Sequence, residues 1–156
     1  MKYFKKLLIV FFSISLVLSC SLESEYALPN NEKIAPELLG KWTDPNNKND
    51  VLIFTKKNRK MYHVSIKVNE EKPDELSAFI NNIDGHLILN LIEKTNDRTT
   101  NIFYKISVHQ DQLTYYEVND KLLKSEIQSQ KDLLQFFQNN IDHEEFFINP
   151  TILHKE

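Results

Sequence analysis

Glycine is nearly missing from this chain: Gly40 and Gly85 are the only two in 156 residues. A phosphate-cradling loop needs several glycines for close backbone approach to the anion, so nucleotide binding of that kind is excluded. Cysteine is rarer still. Cys20 stands alone, which excludes an internal disulfide framework and a cysteine zinc site. The five histidines, His63, His86, His109, His143 and His154, contain no His-x-x-x-His pair and fall on different predicted elements, so no metal is expected. No Gly-x-Ser-x-Gly elbow supports a serine nucleophile. What is present is ordinary: 41% hydrophobic and 26% charged residues, which rules out full disorder and collagen-like or low-complexity polymers.

The first twenty residues are unlike the rest. Lys2, Lys5 and Lys6 precede an apolar run from Leu7 to Leu18, interrupted only by Ser13 and Ser15. Twelve residues make about 18 Å of helix, while a bilayer core of about 30 Å needs roughly twenty. The run therefore fits a signal-peptide core better than a membrane span. It ends in Val17-Leu18-Ser19-Cys20. This tetrapeptide resembles the lipobox of bacterial lipoproteins. The resemblance implies cleavage before Cys20, a thioether-linked diacylglycerol on its sulfur, and a fatty acyl chain such as palmitate on the new amino group. It places the protein in the bacterial cell envelope, held to a membrane by the lipid on Cys20. Ser21, where enterobacterial retention signals carry Asp, favours the outer over the inner membrane.

Removing Lys2, Lys5 and Lys6 from 19 basic residues leaves 16 against 22 acidic ones, a net charge of −6. An acidic domain of this kind is a poor nucleic-acid binder, and no nucleic-acid partner is expected. The expected organisation is a signal peptide over 1–19, an acylated Cys and flexible tether over 20–33, and one β-barrel-like domain over 34–156. The tether expectation rests on the polar stretch Ser21-Leu22-Glu23-Ser24-Glu25 and the turn-rich Pro29-Asn30-Asn31, with no apolar periodicity between them.

Beyond residue 34 the pattern is mostly period two. Pro36 to Leu39 reads as a short helical turn, with strands at Gly40–Thr43 and Val51–Lys56. In Met61–Val68, Tyr62, Val64, Ile66 and Val68 alternate with Met61, His63, Ser65 and Lys67, one dry face against one wet one. Further strands are predicted at Leu76–Ile83, His86–Ile92, Asn101–His109 and Leu113–Val118, with Asp84-Gly85 as a hairpin turn. Seven strands in sequence with short connections make a meander. The period then changes: Leu133, Leu134, Phe137 and Ile141 share one helical face, which predicts a helix over Gln130–Asn140 opened by Ser129 with Asp132 as a capping box. Asp142–Phe147 reads as one further turn broken by Pro150, and Thr151–Lys155 as a closing strand.

A helical turn, Gly40-x-Trp42 at the head of a meander, a late helix and a last strand resemble the lipocalin and wider calycin arrangement, and the layout is similar to that of small bacterial lipoproteins. The resemblance covers the layout of residues 36–155. It implies a mainly β fold, an antiparallel meander of seven or eight strands forming a small barrel with one helix near the C-terminus. Trp42 would plug the closed end, Gly40 would let the chain cross beneath it, and a late basic residue would pack on the indole. Lys155 is the only late candidate. No second lipocalin motif is present.

Three classes of function are open to such a domain. A protein-interaction or structural lipoprotein, with an envelope or host protein as partner, would bare an apolar patch around Phe136, Phe146 and Phe147. Alternatively, a lipocalin-like binder would hold a small apolar ligand in a pocket lined by Tyr62, Val64, Tyr104 and Ile106. An enzyme is not expected, since Glu70-Glu71, Asp74-Glu75 and Asp142-His143-Glu144-Glu145 read as solvated charge runs. No cofactor is implied.

Overall fold

Alternating apolar residues along seven successive strands build a wall that closes on itself. The computed structural model describes residues 21–69 and 71–156; the expected signal peptide and Cys20 lie outside the described residues. A two-residue strand β1 (Glu23–Ser24) comes first. A 3-10 turn at Pro36–Leu38 leads into β2 (Gly40–Thr43), β3 (Val51–Lys56), β4 (Tyr62–Lys67), β5 (Asp74–Ile83), β6 (His86–Lys94), β7 (Thr99–His109) and β8 (Gln112–Val118). Helix α1 (Gln130–Asn140) and β9 (Phe147–Lys155) complete the fold. Strands β2 to β8 pair antiparallel in sequence order, and β9 bridges β8 to β2. The result is a closed ring of eight strands, the arrangement that leaves little unpaired backbone at a sheet edge.

The interior follows the predicted parity. Trp42, Phe54, Tyr62, Val64, Ala78, Ile80, Leu89, Leu91, Ile106, Leu113 and Leu153 form one buried core. The turn residues Asp84 and Gly85 both take positive φ, 51° and 88°, as a two-residue hairpin requires. Strand β9 starts four residues before the predicted Thr151. Pro150 does not break it, because Asn149 and Pro150 sit in a bulge opposite Tyr116, between the Tyr115–Thr151 and Glu117–Ile148 pairs, where the missing N–H costs no ladder bond.

A second core lies outside the ring. Strands β5 to β7 are dry on both faces: Phe79, Ile83, Ile88 and Phe103 point outward and are buried. Helix α1 covers them with Leu133, Phe137 and Ile141. Ser129 caps the helix by accepting from the Asp132 N–H at 3.1 Å, and Asp132 accepts in return from the Gln128 N–H rather than from Ser129. Phe146, Phe136 and Phe137 stack edge-on with centroids 5.4–6.0 Å apart. The exposed patch expected around Phe136, Phe146 and Phe147 is therefore not there. Phe146 is fully buried and the other two are partly covered, because the apolar stripe of α1 and the outward apolar residues of β5–β7 cover each other.

From Ser21 to Pro29 the N-terminal segment is held against the barrel, unlike the free tether expected over 20–33. Ser21, Leu22 and Leu28 are buried. Strand β8 pairs with β7 only from Tyr104 onward, and β1 takes the remaining edge, with Glu23 opposite Ile102 and Ser24 opposite Asn101. Three asparagines on the outer wall hold the stretch from Ser24 to Pro29. Asn101 Nδ2 donates to the carbonyls of Ser24 and Glu25, Asn90 Oδ1 accepts from the Leu28 N–H at 3.1 Å, and Asn81 Nδ2 donates to the Pro29 carbonyl. Polar composition made this stretch look free. Its Leu22 and Leu28 find a groove that exists only once β7, β8 and α1 are assembled.

Candidate functional site

The two ends of the barrel differ. One is sealed. Trp42 is fully buried and its indole N–H donates to the Leu38 carbonyl at 2.9 Å. Lys155 lays its ammonium 5.0 Å from the Trp42 ring and donates to the Glu37 carbonyl at 3.0 Å, the basic residue on tryptophan that the lipocalin resemblance implies. Gly40 has φ +125°, and a Cβ there would stand 3.0 Å from the Lys155 Cε. The missing side chain at Gly40 leaves room for the lysine stem that lies beside Trp42.

Tyr62 belongs to this sealed half. Its hydroxyl accepts from the Ala35 N–H at 2.6 Å and its ring meets Phe54 edge-on at 5.7 Å. Burial pushes the phenol up to about 12, against the backbone hydrogen bond from Ala35, with the nearby Glu37 charge adding to the rise. Tyr62 and Val64, both wholly buried, fill the barrel and are not among the residues that line the hollow at its other end.

The other end is a cup of about 210 Å³. Its walls are Leu52, Phe54 and Ile66 from β3 and β4, Leu89 and Leu91 from β6, Tyr104 and Ile106 from β7, Leu113 and Tyr115 from β8, and Leu153 from β9. Tyr104 and Tyr115 meet edge-on at 5.6 Å on one side. The lip carries Asp44, Asp50, Val51, Lys67 and Val68, and Val68 is among the most exposed large apolar side chains described. Of the four expected lining residues, Tyr104 and Ile106 are in the cup and Tyr62 and Val64 are below it. The parity was right for all four; depth along the barrel axis, which depends on strand tilt and stagger, separated them. Leu113 and Tyr115 were missed although they share the same alternation.

No cluster of three His, Cys, Asp or Glu side chains stands at metal-binding distance among the described residues. His63 is exposed and 2.8 Å from Glu75, and His86 lies 3.9 Å from Asp142. No described helix is long and apolar enough to cross a membrane. Comparison with protein-family models, with curated proteins and with solved structures gives no match to this chain.

Proposed function

We propose that this chain is a lipid-anchored protein of the bacterial cell envelope, acylated at Cys20, whose barrel binds a small apolar ligand as lipocalins do. The observation that carries the ligand reading is the cup: an apolar hollow of about 210 Å³, open at one end and sealed at the other by Trp42 and Lys155. An engineered apolar cavity of about 150 Å³ stays dry and takes up benzene. Drug-sized ligands occupy roughly 300–1,000 Å³. The cup therefore suits a single ring or the end of a short acyl chain, and burial against Leu91, Ile106 and Tyr104 would supply the affinity. The buried aromatic cluster at α1 removes the patch that an interaction role would have used. One observation still supports a structural or protein-interaction role as the second reading: β9 from Phe147 to Thr151 pairs only with β8, since β2 reaches no further than His154.

Native mass spectrometry of the full chain extracted from its own membranes tests this. A copurifying small-molecule mass that disappears in Leu91→Phe supports the cup. A bare chain mass in both proteins overturns the ligand reading and moves the search to protein partners. The anchor is tested separately: Cys20→Ala should leave the membrane fraction, and retention there refutes acylation at this residue.

A further inference from the structure

The N-terminus is fastened to the barrel at the very residue after Cys20. Ser21 is buried, donates its hydroxyl to the Phe103 carbonyl at 2.6 Å, and bridges Asn119. Leu22 donates to the Val118 carbonyl and accepts from the Phe103 N–H. Traced from Ser24 back to Ser21, the chain advances along β7 from Asn101 toward Lys105. There β8 takes over the edge. On the outer wall beyond that point, the Lys105 ammonium lies 5.2 Å from the Tyr116 ring centroid and 4.8 Å from that of Phe147.

We propose that the barrel is mounted on the bilayer without a tether, with the β7–β8 wall that carries Lys105, Tyr116 and Phe147 lying against the lipid headgroups. The inference rests on the acylation of Cys20 proposed above. Adjacent Cα atoms are about 3.8 Å apart. The headgroup layer on each side of the hydrocarbon is only about 5–8 Å thick. Acyl chains on Cys20 must enter the hydrocarbon, so Ser21 and the wall it is bonded to stand within or against that layer. A lysine stem lying over two aromatic rings suits this boundary, because such side chains keep an apolar body in contact with lipid and a polar end in water. Strand β3 stands across the eight-strand ring from β7, so the β3–β4 lip of the cup, with Asp50 and Lys67, is held away from the lipid. On this mounting the ligand enters from the aqueous side.

The test uses the full acylated chain with one added cysteine carrying a fluorophore, in phosphatidylethanolamine–phosphatidylglycerol vesicles containing headgroup-spin-labelled lipid. Labels at Lys105→Cys and at Lys121→Cys, whose backbone N–H donates to the Asn119 that Ser21 bridges, should be quenched several-fold more than a label at Thr55→Cys on β3. A six-residue Gly-Ser insertion between Cys20 and Ser21 should abolish the difference. Equal quenching at all three sites, in protein whose N-terminal peptide carries the acyl mass, overturns the mounting and leaves the anchor standing. An N-terminal peptide without that mass overturns the anchor itself, and the mounting with it.

Discussion

Asn90 is the residue whose replacement should hurt most for its size. It is fully buried on the outward face of β6. Its Oδ1 accepts from the Leu28 N–H at 3.1 Å, and its Nδ2 donates to Asn101 Oδ1 at 3.0 Å and to the Leu91 carbonyl at 3.1 Å. Asn90→Ala orphans the Leu28 N–H and Asn101 Oδ1 in a site closed over by the N-terminal segment. Each buried group left unsatisfied costs about 1–3 kcal/mol, so the loss should be about 2–6 kcal/mol, a large part of a typical total of about 5–15 kcal/mol. Asn101→Ala should cost less: it leaves one Asn90 Nδ2 hydrogen unpaired in the buried site, but the Ser24 and Glu25 carbonyls that it also releases are only part-buried and water can replace the amide there. Urea unfolding gives the numbers, and amide exchange at Leu28 gives the mechanism: that N–H should lose protection in Asn90→Ala ahead of the barrel strands. Asn90→Leu separates hydrogen bonding from packing. It restores the volume but leaves the same two groups unpaired, so it should be as destabilised as the alanine variant. If Asn90→Leu recovers most of the stability, or if Asn90→Ala loses less than about 1 kcal/mol, the three asparagines are not what holds the segment down.

Three further outcomes are expected. Gly40→Ala forces a side chain into φ +125° against Lys155, and urea midpoints should show a loss of about 1–3 kcal/mol. Phe137→Ala opens a hole between α1 and Phe103, whose ring is 5.5 Å away, and should cost about 3–5 kcal/mol in the same assay. Tyr62 loses its proton more easily unfolded, near pH 10, than folded, near pH 12. Its stabilising effect is thus whole below pH 10 and falls as pH rises through that window, and Tyr62→Phe should flatten the decline in urea midpoints between the two values.

Much of the secondary structure was legible because its signals are local. Strands β2 and β3 and helix α1 begin and end where alternation, the change of period and the Ser129 cap place them. The inward parity of Tyr62, Val64, Tyr104 and Ile106 was legible for the same reason. Lys155 was marked only through the Gly-x-Trp resemblance. Burial on a second face left no comparable mark. In β7 the outward Phe103 and Asn101 read like any wet face with one aromatic, and nothing local says that a helix and an N-terminal strap will cover them.

By itself the sequence determined a mainly antiparallel β meander with one late amphipathic helix, since side-chain periodicity is a property of neighbouring residues. Only the tertiary structure decided three things: that Ser21–Pro29 is fastened to the wall, that Phe137 of α1 and Phe146 after it are core, and that the hollow lies beside Tyr104 and not beside Tyr62. Each depends on which surfaces meet once the ring has closed. A chain segment with two leucines and several carbonyls is a loose tether or a strap according to whether a groove with matching amides stands beside it. That groove is made by residues 52 to 103 positions away in the sequence.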